Sequence, residues 1–411
     1  MNEWFSKRLL DRFLKYVKIN TASDRHKDVI PSTERQWVLI RLLESELKEI
    51  GVENVEVAEN GYIIARIPAS EGIEAPVIGF MAHVDTSEDE SGENVIPRIW
   101  KNYDGKALEI GGGITIDPEE TPQLKDRVGD TIITASGKTL LGADDKAGVA
   151  EIMTAVEYLL TNPQLKHGKL EIIFTPDEET GKGLDLFPLE KLESISCYTL
   201  DGDEKGFLES ECFNAYLAIV KIAGKMIHPG SARGKLVNAI TAASRFLQSI
   251  PQAESPEAAD GRYGFYFPQE LKADASYAEL EILIRDFDPK ITERRIEALQ
   301  AVGTAIEKAT PGSKVEIDIR KQYLNMREYL DKDPRIMDLL RKAVEKCGVI
   351  PREKAIRGGT DGSRLSEMGI PTPNIFTGGL NFHSKKEWAS LEVMILASRT
   401  IVELVQLWAM E

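Results

Sequence analysis

The sequence predicts an α/β protein with a separate α+β segment inserted into it, and three observations point there. Strand-like apolar runs that end in acidic loops alternate with helical segments through the first half of the chain. The middle changes to a βαββαβ succession. The C-terminal part then returns to the first style. Strand–helix alternation implies a mainly parallel sheet covered on both faces, and βαββαβ is the order of a ferredoxin-like unit. The boundaries read from these changes are residues 1–213 and 324–411 for the α/β part and 214–323 for the insertion.

Each element has a local reason. Trp4, Phe5, Leu9, Leu10, Phe13, Leu14 and Val17 recur at helical spacing. A second helix is expected to open at "PSTERQW", with Thr33 and Gln36 as a capping box, and to stop at Gly51. "VEVAENGYIIARIP" has strand composition on both sides of Asn60-Gly61, a hairpin signal. "PVIGFMAHVD" reads as a strand, "DKAGVAEIMTAVEYLL" as a helix, and "KLEIIFTPDEE" and "SISCYTLDGD" as strands running into acidic loops. In the insertion come "AYLAIVKIAG", helical "LVNAITAASRFLQSI", a short strand near "RYGFYFP", "SYAELEILIRDFD", helical "PKITERRIEALQAVGTAIEKA" and "SKVEIDIRKQY". "DPRIMDLLRKAVEKCG", "TPNIFTGG" and a long helix from Glu387 close the chain.

Composition narrows the function. The 411 residues are 42% hydrophobic, enough for a sizeable core, and the net charge is -16. The acidic residues are spread along the chain, which argues against nucleic acid or an anionic membrane as partner. Three cysteines without CxxC spacing read as reduced thiols of a cytoplasmic protein. The charged, amphipathic N-terminus does not read as a signal peptide, and no apolar run reaches membrane-spanning length.

Polar residues gather where strands are expected to end: "HVD" (His83, Asp85), "GADDKAG" (Asp144, Asp145), "TPDEETG" (Asp177, Glu178, Glu179), "LDGD" (Asp201, Asp203) and "NFHSKKE" (His383). Parallel strands align their C-terminal ends along one sheet edge, where ligands bind. Carboxylates crowded there repel one another, and divalent cations would remove the repulsion. Two imidazoles among carboxylates favour zinc, with manganese or cobalt as alternatives, over calcium or magnesium. Singly, each motif has an ordinary reading: a hydrogen-bonded histidine, a solvated acidic turn, a helix N-terminus. Two of only five histidines falling into this set make the metal reading the stronger one. His26 and His167, in polar "SDRHKD" and "QLKHGK", are expected to be exposed and without function.

"HVDTS", "TLLGADDKAG", "FTPDEETGKG", "HPG", "RGGTDG" and "FTGG-NFH" together resemble the motif set of the M20 metallopeptidases, most closely their tripeptide aminopeptidase branch. The resemblance runs over the whole chain. It implies a catalytic α/β domain holding two zinc ions and an inserted lid domain. By motif, His83 and Asp201 would bind one metal, Glu179 and His383 the other, and Asp144 both. Asp144 is preferred to Asp145 because the family pattern is Asp-x-Lys and Lys146 fits that count. Asp85 would orient the His83 imidazole, and Glu178 would act as general base. His228 in "IHPGSARG" would stabilise an oxyanion. Arg285 and Arg357 would hold a peptide C-terminus, with Asn238 a further substrate contact. The ordinary readings are a turn residue for His228, an ion pair with Asp286 or Asp288 for Arg285, and a helix residue for Asn238. The family also places a cis peptide after the bridging aspartate, here Asp144–Asp145.

The sequence departs from the branch's pattern in two places. "DGDEKG" replaces a glycine-richer stretch, and "NFHSKKEW" carries Ser384 and Lys386 where Gly and His are expected. This leaves substrate preference near these loops open. The expected activity is removal of the N-terminal residue from tripeptides, with short peptides as partners and room for a homodimer. The alternatives are another M20 hydrolase (dipeptidase, carboxypeptidase or N-acyl-amino-acid deacylase) and a metal-stabilised binding module. Retention of Glu178 argues against the last.

Overall fold

In a computed structural model, residues 2–411 are described. They divide into two compact units: residues 2–210, Met326–Lys354 and Thr360–Glu411 form the first, and Glu211–Asn325 with Ala355–Gly359 the second.

The first unit is organised by an eight-stranded sheet. Its four central strands, Leu170–Thr175, Ile78–His83, Ser196–Gly202 and Asn374–Phe376, run parallel to one another. Both faces of the first three are buried along almost their full length, as a sheet covered by helices on each side requires. The hairpin Asn54–Val57 and Ile63–Ile67 adds antiparallel strands at one side, with Gly61 supplying the positive φ of 84° that the turn needs. Helix Ala143–Thr161 is buried nearly all round. Gly148 makes its seat possible, since a Cβ there would come within 2.0 Å of the Leu200 carbonyl oxygen on the strand beneath.

Several expectations need correction. Helix Gln36–Glu49 has no capping box. Thr33 Oγ1 donates to the Ala22 carbonyl at 2.8 Å and Gln36 turns to Asp177, so tertiary partners have taken both side chains. The last helix spans Leu391–Trp408, because Trp388–Ser390 pairs as a strand with Ile132–Thr134. That pairing belongs to a small four-stranded sheet, Gly379–Leu380, Trp388–Ser390, Ile132–Thr134 and Arg98–Trp100, which the sequence reading did not anticipate. Strands of two or three residues are too short to show a period. His167 is buried, with Nδ1 2.8 Å from the Gly168 carbonyl, since its polar neighbours hide a side chain that folds inward.

The second unit is a four-stranded antiparallel sheet in the order Phe265–Ala273, Tyr277–Asp286, Asn214–Ala223, Lys314–Tyr323. Helices Ala239–Gln248 and Pro289–Ala309 pack on it around Val220, Ile222, Phe246, Leu280, Ile282 and Leu299. The segment near "RYGFYFP" is the start of a nine-residue edge strand, not a short one. Its register shift between Pro268 and Glu270 and its exposed outer face obscured the alternation.

Candidate metal centre

Five segments of the first unit bring ionisable side chains together, one of them the turn that carries His383. His83 ends its strand and Asp201 lies near the end of another. Glu178 and Glu179 occupy the turn after Leu170–Thr175. Asp144 and Asp145 open helix Ala143–Thr161 with non-helical backbone, and the peptide between them is cis, as the resemblance implied.

Asp144 is central. Its Oδ1 lies 2.9 Å from His83 Nε2 and its Oδ2 3.3 Å from His383 Nε2. His83 Nε2 is also 3.7 Å from Asp201 Oδ1, and His383 Nε2 is 2.9 Å from Glu179 Oε2. Two triads result, His83–Asp144–Asp201 and Asp144–Glu179–His383, each with donor atoms within 4.8 Å of one another. The histidine–carboxylate distances in them, 2.9–3.7 Å, lie within twice a zinc–ligand bond of about 2.0–2.2 Å. Glu179 Oε1 is buried without a hydrogen-bond partner, a costly condition for a carboxylate unless a cation meets it. The donor set and this orphaned oxygen fit two divalent cations sharing Asp144. Asp145 does not compete, because its two oxygens are occupied by the His83 and Gly148 N–H groups at 3.2 Å.

The electrostatics follow from burial and proximity. Burial alone would raise Asp144, but the hydrogen bonds to His383 and His83 win and hold its carboxyl well below the usual range. Burial opposes the charge on His83, and Asp144, Asp201 and Asp85 overcome it and raise its pKa. Asp144 and Glu179 push His383 up to about 11. Burial lifts Glu179 to about 8 and Asp201 to about 6. It also drives Glu178 far above the ordinary carboxylate range, against the pull of His83 and with the charges of Asp201, Asp361 and Glu179 adding to the rise.

Around the triads stand residues that fix them. Asp85 Oδ1 lies 3.3 Å from His83 Nδ1 and accepts the Glu178 N–H at 3.0 Å, while Oδ2 accepts the Glu179 N–H at 3.2 Å. Four residues here escaped the sequence reading or were left without a role. Asp89 Oδ2 meets His383 Nδ1 at 3.1 Å, repeating for the second imidazole what Asp85 does for the first. Asp361, inside "RGGTDG", is buried and accepts the Thr175 hydroxyl at 2.6 Å. Gly183 packs so close that a Cβ there would stand 2.3 Å from Asp361 Oδ1. Lys146 is buried with Nζ donating to the Ile19 carbonyl at 2.8 Å, and burial lowers its pKa to about 7. Glu387 is buried against the backbone of residues 141–144. A sequence signal for Asp89 or Glu387 is hard to find, since their partners are backbone N–H groups or lie far along the chain.

The remaining expected site residues, His228, Asn238, Arg285 and Arg357, lie on the second unit. His228 is exposed, and its Nδ1 accepts the Gly230 N–H at 3.2 Å, which places the ring proton on Nε2. Asn238 caps helix Ala239–Gln248, its Oδ1 accepting from Ile240 at 2.9 Å and Thr241 at 3.4 Å. Arg285 is buried and donates to the Tyr216 and Ile284 carbonyls and to Gln322 Oε1 at 2.7 Å. The ion pair considered for it does not form, since Asp286 pairs with Arg295 at 2.9 Å and Asp288 caps a helix. Arg357 donates to the carbonyls of Gly261, Tyr263 and Ala259.

A mainly parallel α/β unit with two carboxylate–histidine triads at its strand ends, together with a four-stranded α+β unit, defines a candidate two-metal hydrolase. Comparison with known proteins makes this specific. The model of peptidase family M20/M25/M40 matches residues 140–407, and the chain belongs to that family. A Peptidase T of Clostridium perfringens is 45% identical over 403 residues, covering 98% of this chain and 99% of that one. The fold is shared with the aminopeptidase PepT from Bacillus cereus, at a TM-score of 0.77, 22% identity and 98% and 99% coverage. It is also shared with a tripeptidase from Staphylococcus aureus, at a TM-score of 0.78, 20% identity and 99% coverage of each chain.

Proposed function

We propose that this chain is a metal-dependent aminopeptidase that releases the N-terminal residue from tripeptides. The observation that carries the reading is the Asp144 carboxylate, which turns one oxygen to each triad while the neighbouring Glu178 carboxylate takes part in no hydrogen bond among the described residues. The Peptidase T relatives, and the shared fold of proteins named aminopeptidase and tripeptidase, support the substrate class.

His83 and Asp201 would hold one cation, Glu179 and His383 the other, and Asp144 both. Zinc suits this nitrogen and oxygen set, and manganese or cobalt can replace it. When bound, such cations supply an acidified water and a polarised scissile carbonyl. Glu178 takes the proton of the attacking water and returns it to the leaving amine. Asp85 orients the His83 ring and fixes the backbone of Glu178 and Glu179. Substrate contacts are assigned to His228, Asn238, Arg285 and Arg357. His228 offers an Nε2–H and Asn238 an uncommitted amide NH2, whereas both arginines already serve backbone carbonyls. Three buried free thiols support a cytoplasmic setting. Among the described residues no helix is long and apolar enough to cross a membrane.

The test is metal analysis of the purified protein together with a panel of di-, tri- and tetrapeptides and N-acyl amino acids. Two divalent ions per chain and preference for tripeptides with a free N-terminus are expected. Preferential cleavage of dipeptides or acyl amino acids would replace this reading with another hydrolase of the same family. Full activity without metal would end it.

A further inference from the structure

Glu387 stands four residues after His383, and its side chain leaves the His383 loop altogether. It reaches the segment that leads into Asp144. Oε2 accepts the N–H groups of Leu141 and Gly142, each at 2.7 Å, and Oε1 accepts the N–H of Asp144 itself at 3.1 Å. The carboxylate is buried, at 1% exposure. Three donors and two oxygens leave none of the three amides unpaired. A buried amide deprived of its acceptor is costly, so the tie is stiff. The segment it grips is one that its own backbone holds weakly. Gly142 is left-handed, with φ 80°, and Asp144 and Asp145 are non-helical. Main-chain hydrogen bonding of a regular helix therefore does not set the direction of the Asp144 side chain.

We propose that Glu387 is a positioning residue for the shared aspartate, tying the loop that carries His383 to the backbone of Asp144 so that one carboxylate oxygen faces each triad. The inference rests on the two-metal reading above. It mirrors an arrangement at the other imidazole: Asp85, two residues after His83, binds the N–H groups of Glu178 and Glu179. In both cases a carboxylate two to four residues after a triad histidine accepts the backbone N–H of a triad carboxylate, Glu179 for Asp85 and Asp144 for Glu387. His83 faces Asp144, and His383 faces both Asp144 and Glu179.

Chemistry predicts what Glu387→Gln would do. All three partners are donors, so an amide can satisfy them from its oxygen side only. Keeping the two short bonds to Leu141 and Gly142 leaves the NH2 group facing the Asp144 N–H. The loss therefore falls on Asp144. Glu392 provides the control, because it is also a carboxylate bound to backbone, accepting the Thr131 N–H at 2.6 Å, but it ties no segment that bears a triad residue.

The experiment compares wild type, Glu387→Gln and Glu392→Gln by chelator competition for zinc and by the visible spectrum of the cobalt-substituted protein, with circular dichroism as the check on folding. Wild type is expected to bind two equivalents. Glu387→Gln should weaken the less tightly held equivalent by about 10–100-fold, the usual range for partners of metal ligands, and shift the cobalt bands. Glu392→Gln should change neither. If Glu387→Gln behaves like Glu392→Gln in both readouts, the proposal is wrong. If Glu387→Gln does not fold, Glu387→Asp, which keeps the charge but is one methylene too short, is read the same way. Fewer than two equivalents in wild type would overturn the two-metal reading instead. The tie would then be judged on the ion that remains, and an unchanged affinity and spectrum in Glu387→Gln would overturn it too.

Discussion

Asp85 holds Glu178 by its backbone: the Glu178 N–H donates to Asp85 Oδ1 at 3.0 Å, and that same oxygen lies 3.3 Å from His83 Nδ1. Asp85 thus sets both the peptide of the proposed base and an imidazole, the latter also through its own carbonyl oxygen, 3.1 Å from His83 Nδ1. The Glu178 side chain is free of this bond, so its position and its chemistry can be separated by mutation.

Glu178→Gln should retain both metals and the fold while turnover falls by about 10²–10⁴-fold, the usual worth of a general base. KM should change little, because the proton transfer belongs to the transition state. Metal content and steady-state kinetics measured on the same preparation check this. Near-normal turnover at full occupancy would take the base role from Glu178.

Removal of divalent metal should lower thermal stability as well as activity. Asp144, Glu179 and Asp201 crowd together, and a ligand present at 100 times its Kd stabilises a fold by about 2.7 kcal/mol. A melting curve that does not respond to chelator, or to zinc, cobalt or manganese added back, would count against the triads as metal sites.

Gln36 is expected to matter although it carries no chemistry. Its amide donates to Asp177 Oδ1 at 2.7 Å and its oxygen accepts the Asp177 N–H at 3.2 Å. Asp177 sits in the left-handed region, at φ 59°, directly before Glu178. Gln36→Leu strips Asp177 of both bonds and should cost about 1–3 kcal/mol. Because the turn bearing Glu178 and Glu179 is loosened, kcat should fall too. Denaturation and kinetics would show stability lost without any change in kcat if the turn is held by Asp85 alone.

Glu209 supplies a pH test away from the triads. Burial, assisted by the Asp203 charge, raises its carboxyl to about 8, with Asn374 donating to it at 3.1 Å. A group whose pKa is higher in the folded chain binds more protons there. Its contribution is fully present below the unfolded value and is lost as pH rises through about 8. Glu209→Gln removes this dependence and can still accept from Asn374. The fall in melting temperature between pH 5 and pH 8 should be smaller in the variant than in wild type. An identical fall in both would show that Glu209 does not titrate across this window.

Much of this protein is legible in its residues. Apolar runs that stop at His83, Thr175 and Asp201 are long enough to display their pattern, and a parallel sheet sends such ends to one edge whatever loops intervene. The chemistry of imidazole and carboxylate then limits what they can hold. Only tertiary structure decided how Asp144 divides its two oxygens between His83 and His383, since that depends on distances of a few tenths of an ångström set by packing. Packing also spent Arg285 and Arg357 on carbonyls, turned Gln36 from a cap into a partner of Asp177, and buried His167. Glu387 was out of reach for the same reason. Its partners are main-chain N–H groups, which every residue but proline possesses, so nothing in the side chains of Leu141, Gly142 or Asp144 marks them as its targets.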